Sequence, residues 1–164
     1  MTGIISDNVG RAGGLIKAAG GGGKVLQFIS ADADGQTSSS STSYTASGVS
    51  QAITPTNSSS KMWVTFTVGF GGDYGSGYAQ RSTRMYVDIG GAGYNGIGQD
   101  FACTWNDGST QTVYWSICTY HDHNTTSELT YKPYFKTNVS ASTYFNYAVY
   151  SGVGGVWSIF EIEG

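Results

Sequence analysis

Between Lys61 and Phe70 the chain places Met62, Val64, Phe66, Val68 and Phe70 at strictly alternate positions. A period of two sends these side chains to one face of a β-strand and to no common face of a helix. The segment can bury its apolar residues only as a strand, and its neighbours follow suit. Val25 to Ile29 form a nearly continuous apolar run, which suits a strand covered on both faces. Arg84 to Ile89, Phe101 to Trp105, Thr112 to Tyr120, Leu129 to Lys136, Thr143 to Tyr150 and Val156 to Ile162 bring the expected number to eight or nine. Pro133 cannot donate to a ladder, so its strand is expected at an edge or a bulge. Asn106-Asp107-Gly108-Ser109 predicts a hairpin turn joining the two strands beside it. Turn residues at fairly regular intervals predict an all-β antiparallel sandwich or jelly roll.

Composition agrees. Tyr (12) and Trp (4) are plentiful, 25 residues are glycine, and charged residues make up 12%, about half the usual globular share. The net charge is −3 and the eight Lys and Arg never form a run, so the basic footprint of a nucleic-acid binder is missing. No apolar stretch reaches the roughly 18 residues that a membrane helix needs. Met1 to Asp7 lacks the charged and apolar regions of a signal peptide, which implies synthesis in the cytoplasm and exit by another route such as lysis. A chain of 164 residues fits one domain.

Residues 1–23 stand apart from residues 24–164, the expected β-sandwich knob. The first segment has apolar spots without a clean period and ends in the glycine hinge Gly20 to Gly23. It has too little to bury to fold alone. It reads as an extended docking arm, with Ile4, Ile5, Arg11, Leu15, Ile16 and Lys17 as its contact residues, or as a tail without fixed structure.

Chemistry-bearing patterns are sparse. Gly91-Ala92-Gly93-Tyr94-Asn95-Gly96 satisfies G-x-G-x-x-G, but a strand follows where a dinucleotide site needs a helix. The Gly90–Gly98 stretch therefore reads as a glycine-rich loop. Gly20 to Lys24 mimics a P-loop, yet Val25 stands where Ser or Thr should hold Mg²⁺. His121 and His123 would share one face of a strand as weak candidate metal ligands; a polar loop after Tyr120 is the plainer reading. Glycoside hydrolysis needs two carboxylates about 5–10 Å apart, and no pair among Asp88, Glu161 and Glu163 stands out. No G-x-S-x-G nucleophile elbow occurs. No catalytic residue and no cofactor are expected. Cys103 and Cys118 read as free thiols, because the predicted hairpin register sets them too far apart for a disulfide. The N-x-[ST] triplets at Asn57, Asn124 and Asn138 are incidental in so Ser/Thr-rich a chain. Tyr74, Tyr78, Tyr94 and Trp105 fall in or beside predicted loops, where aromatics can stack on sugar rings or bury in a partner.

A resemblance adds to this. The arm Ser6 to Ala18, the strand Gly23-Lys24-Val25-Leu26-Gln27, Ser41-Thr42-Ser43-Tyr44, the segment Ile53 to Lys61 and the terminal Ile159-Phe160-Glu161-Ile162 resemble, in order and spacing, the small knobs displayed on the tail fibres or capsids of bacteriophages, especially aquatic ones. The resemblance implies a jelly roll like that of tumour necrosis factor, assembled as a homotrimer with its first and last strands near the threefold axis. It would place Val25, Gln27, Ile29, Trp157, Ile159 and Glu161 in or near the subunit contact. An apolar strand at the chain's end also needs its edge covered, which a symmetric neighbour can do. The implied function is a non-enzymatic virion structural protein, foremost a capsid decoration (cement) protein. Its arm would hold the major capsid protein, or a tail or baseplate protein. The alternatives are a receptor-binding fibre tip recognising host surface glycans and a soluble carbohydrate-binding module.

Overall fold

A computed structural model describes residues 23–72, 79–105, 111–138, 142–145 and 154–164. The described residues hold eleven strands: β1 (Val25–Ala33), β2 (Thr37–Ser39), β3 (Thr45–Ala46), β4 (Gln51–Ile53), β5 (Lys61–Gly72), β6 (Ala79–Ile89), β7 (Tyr94–Trp105), β8 (Gln111–Asp122), β9 (Leu129–Thr137), β10 (Thr143–Phe145) and β11 (Gly155–Ile162). They form two antiparallel sheets packed as a sandwich. In sheet I, β1 pairs β11, β11 pairs β5 and β5 pairs β8, with β10 and β2 extending one end. In sheet II, β3 and β4 pair β9, β9 pairs β6 and β6 pairs β7.

The pairing is nested in chain order. β6 pairs β7, β5 pairs β8, β4 pairs β9 and β1 pairs β11. This is one long antiparallel ribbon folded at its midpoint and rolled into two sheets, which is a jelly roll. The midpoint is the turn at Ile89–Ala92, where the Ala92 amide donates to the Ile89 carbonyl at 3.2 Å. Gly90 and Gly91 both have positive φ, 60° and 82°, the pair of conformations a type I′ hairpin turn requires. The G-x-G-x-x-G pattern thus serves the tip of the ribbon. Its flanking strand begins at Tyr94, so the loop expected over Gly90–Gly98 is shorter than predicted.

The predicted hairpin between β7 and β8 does not form. β7 pairs β6 in sheet II and β8 pairs β5 in sheet I, so the chain passes from one sheet to the other between them; residues 106–109 of the expected turn lie outside the described residues. Cys103 pairs with Arg81 and Cys118 with Thr65, on opposite sheets, and Cys118 is a free thiol. Pro133 does not sit on an edge strand. β9 is flanked by β6 on one side and by β3 and β4 on the other, and Pro133 falls in the gap between the latter two ladders. Its carbonyl accepts from the Ser47 amide at 3.0 Å. The missing N–H points where no ladder donor is needed.

The core lies between the sheets. Met62, Val64, Phe66, Val68 and Phe70 of β5 are all buried, as their alternation predicted. Phe66 lies 4.3 Å from Trp157, and Phe70 packs edge-on against Phe135 and Phe145. Burying each such ring stabilises the fold by about 2–3 kcal/mol.

Candidate functional surface

Two of the residues expected at a subunit contact, Gln27 and Glu161, instead organise the end of a single chain. Glu161 is completely buried. It accepts from the Thr56 amide at 2.9 Å, the Asn57 amide at 3.2 Å, Thr56 Oγ1 at 3.0 Å, Ser60 Oγ at 2.5 Å and Gln27 Nε2 at 2.7 Å. Gln27 Nε2 also donates to the Thr54 carbonyl at 2.7 Å. Burial opposes ionisation of Glu161, but hydrogen bonds from Ser60, Thr56 and Gln27 outweigh it and hold the carboxyl below its usual value. One carboxylate therefore ties the 54–60 loop to β1 and β11.

Ser60 Oγ also lies 3.2 Å from His123 Nε2. Glu, Ser and His thus form a contiguous buried chain, but in an order unsuited to nucleophilic catalysis. A nucleophilic serine gives its proton to histidine, which the acid orients from behind. Here the serine sits between the two and donates to the carboxylate. His123 Nδ1 meets the Thr125 carbonyl at 2.9 Å, and His121 Nδ1 lies 2.9 Å from the Tyr131 hydroxyl. Burial, and then the neighbouring His123, hold the His121 imidazole below its ordinary value. Both rings are thus committed to hydrogen bonds within the fold. Among the described residues no group of three or more His, Cys, Asp or Glu side chains is placed to hold a metal.

The other side of sheet I differs in character. β5 turns Met62, Val64 and Phe66 inward, so Trp63 points out. The register then carries a line across the sheet: Phe28 pairs with Phe160, Phe160 with Trp63, and Trp63 with Tyr120. Four adjacent strands each place one aromatic residue in this row. Phe28, Trp63 and Tyr120 are 51%, 43% and 52% exposed. Val25 and Val156 lie on the same face, as does Tyr114, opposite Gly69. Six of the seven exposed large hydrophobic side chains among the described residues are therefore on this one face, the exception being Ile89 at the ribbon tip. Beside the row runs a line of small groups, Ser30, Ser158, Thr65 and Cys118. The charges on this face stand towards its ends: Lys61 and Asp122, ion-paired at 2.6 Å, and Asp32.

The outer face of sheet II is also aromatic, but furnished with cations. Tyr86 and Tyr134 stack at 4.0 Å, with Tyr94 at 6.0 Å from Tyr134 and Tyr44 at 6.1 Å from Tyr86. Lys132 Nζ lies 4.7 Å from the centre of the Tyr94 ring and Lys136 Nζ 4.4 Å from that of Tyr44. Arg84 is paired with Asp100 at 2.5 Å. All four rings are half-buried.

The residues singled out from sequence distribute accordingly. Trp157, Ile159 and Glu161 point into their own chain's core and are buried there, and Ile29 packs against that core. Of the six expected contact residues, only Val25 is exposed. Their strands are those carrying the exposed row, but the row belongs to the alternate positions. Tyr94 is a strand residue beneath Lys132, not a loop residue. Trp105 ends β7 opposite Ala79. Tyr74, Tyr78 and the arm residues Ile4, Ile5, Arg11, Leu15, Ile16 and Lys17 lie outside the described residues. The signal missed in the sequence was the second alternation, in which Phe28, Trp63, Tyr120 and Phe160 occupy positions out of phase with the core.

No protein-family model matches the chain, and no curated protein does. Solved structures that it is similar to include that of the infectious bursal disease virus Gx strain, at 12% identity and a TM-score of 0.44 over 84% of this chain and 37% of that one. Derived T=1 particles of the same virus give 13% identity and a TM-score of 0.41 over 84% and 39%. The VP2 subviral particle of infectious bursal disease virus gives 13% and 0.38 over 84% and 40%. The chain spans about two-fifths of the length of these solved chains, and no residue of it takes a role from them.

Proposed function

We propose that this chain is a non-enzymatic virion structural protein: a homotrimeric jelly-roll knob that residues 1–23 anchor to a bacteriophage particle, foremost as a capsid decoration protein. The observation that carries the reading is the pairing of a jelly-roll ribbon with one sheet whose outer face bears an aromatic row across four adjacent strands. Jelly rolls recur in capsid and lectin domains, and fold alone does not choose between them. The exposed face favours assembly. The Phe28 and Phe160 rings stack at 4.5 Å and 29°, close to the ~4.8 Å between neighbouring strands. Rings stacked along that direction stand on edge, whereas a sugar platform needs a ring laid flat with its face open. The buried Glu161–Ser60–His123 chain supports a structural use for the polar groups that otherwise suggest catalysis.

Quantitative mass spectrometry of purified particles tests the assignment. Hundreds of copies per particle are expected of a decoration protein. A few copies would move it to the tail, and absence would overturn the virion reading. A chain lacking residues 1–22 should fold and self-associate yet fail to join particles.

A further inference from the structure

We infer that the outer face of sheet I, which carries the Phe28–Phe160–Trp63–Tyr120 row, is the surface through which copies of this chain bind one another. The inference rests on the reading of the protein as an oligomer but not on its presence in a virion. It moves the contact from the inward positions of β1 and β11 to their outward ones and extends it across β5 and β8.

Three observations point to a second copy as the occupant. The first is that β1 has a nearly continuous apolar run, the pattern of a strand covered on both faces. The described residues cover only one: Ile29 and Ala31 pack on the core while Phe28 is about half exposed. The second is area. Four strands about 4.8 Å apart, with rows spread over about 27 Å, give a face of ~500 Å² in projection, and its corrugated accessible surface is larger. That approaches the roughly 800 Å² each partner contributes to a standard interface, and an exposed patch of several hundred Å² on a single chain is often functional. The third is anatomy. Large aromatics fill one row across four strands, the hydroxyl groups of Ser30, Ser158 and Thr65 border it on one side, and the Lys61–Asp122 ion pair stands beyond it on the other. A row of large aromatics that itself holds no charge has the composition of an interface core. With a net charge of only −3, little repulsion opposes the approach of like chains.

Rings standing on edge suit this occupant too. Aromatic edges from one copy can enter the spaces between those of another, whereas the hydroxyl row offers hydrogen bonds that need no charge partner. Cys118 lies in that row and provides an internal reporter.

The test is the molar mass of the purified full-length protein by light scattering, compared with the double substitution Phe28→Asp, Trp63→Asp and a sheet II control, Lys132→Glu. The wild type and the control are expected to run as oligomers, and the double variant as a single chain of 17.3 kDa with an unchanged β-sheet circular dichroism spectrum. A monomeric wild type would overturn the proposal, as would a double variant of undiminished mass. Should the double variant fail to fold, alkylation of Cys118 in the wild type, followed by peptide mass spectrometry, decides instead. Labelling should slow at least tenfold at concentrations where the protein is oligomeric relative to those where it has dissociated. An equal rate in both would place the contact elsewhere. A protein that oligomerises through this face yet is missing from particles would sink the virion reading alone.

Discussion

The two outer faces of the sandwich are both aromatic, yet they are finished differently. On sheet II, Tyr86 and Tyr134 stack, Lys132 and Lys136 lie over neighbouring rings, and Arg84 has Asp100. The stacked tyrosines and the three cations named there have partners from the same chain. On sheet I, Phe28, Trp63 and Tyr120 are about half exposed, and among the described residues no cation covers them. A sheet face that satisfies itself can meet water, while one that leaves a row of rings in water gains about 25 cal/mol per Å² when something covers it. The contrast shows that aromatic content alone does not mark a binding surface; what marks it is whether the chain supplies the covering groups.

The comparison requires that sheet I be complete on its inner side, and Glu161 is the place to break it. Glu161→Gln is expected to lower stability at neutral pH by about 2–3 kcal/mol, because a buried carboxylate with several donors is replaced by an amide that cannot accept from all of them. The same substitution should flatten the acid limb of the stability profile. The folded carboxyl ionises more readily than the unfolded one, so its contribution is complete above the ordinary carboxylate range and is lost as pH falls through the folded value. Urea unfolding of both proteins from neutral pH downward measures the two effects together. Equal acid limbs would mean that Glu161 is not the anchor of the 54–60 loop.

Removal of one ring from each face sharpens the contrast. Tyr134→Ala takes away a ring stacked at 4.0 Å and should cost the dissociated chain about 1–2 kcal/mol. Tyr114→Ser removes the most exposed ring of sheet I, at 61%, and should change the stability of the dissociated chain by less than about 0.5 kcal/mol. Thermal melts at low protein concentration separate the two. If Tyr114→Ser proved the costlier, the claim that sheet I leaves its rings without support in the single chain would be wrong.

Salt gives the smallest effect. Raising ionic strength screens the exposed Arg84–Asp100 pair on sheet II, so Asp100→Asn should destabilise slightly at low salt and not at high salt. The proposed association through sheet I is apolar and should persist or strengthen. Dissociation of the oligomer in high salt would show that charge, and not the aromatic row, holds the copies together.

Much of the fold was legible beforehand. The alternation over Lys61–Phe70 names the inward face of β5 without ambiguity, and paired glycines at 90 and 91 can serve a type I′ turn wherever the chain reverses. The candidate surface was legible only in part. The resemblance set the subunit contact on β1 and β11, two of the strands that carry the exposed row, but its residues Gln27, Trp157, Ile159 and Glu161 face inward. A run such as Val25 to Ile29 is apolar at every position, so composition cannot tell its two faces apart. The parity is set by the sandwich, which draws Trp157 against Phe66 and Glu161 beneath the 54–60 loop, and the alternate side chains are then left outside. The β7–β8 hairpin was misread for a related reason: a good turn signal favours local pairing, but each strand found a better partner in the nested ribbon.

By itself, then, the sequence determined the strand content, the faces of strands with strict alternation and the scarcity of charge. These are local properties, carried by the two-residue period and by turn chemistry. The tertiary structure decided which strands pair, and through register it aligned Phe28, Phe160, Trp63 and Tyr120 from distant parts of the chain into one row. Gln27 and Glu161 meet across 134 residues. The entropy of closing such loops grows only slowly with their length, so separation in sequence barely distinguishes one distant partner from another. Packing between the sheets makes that choice.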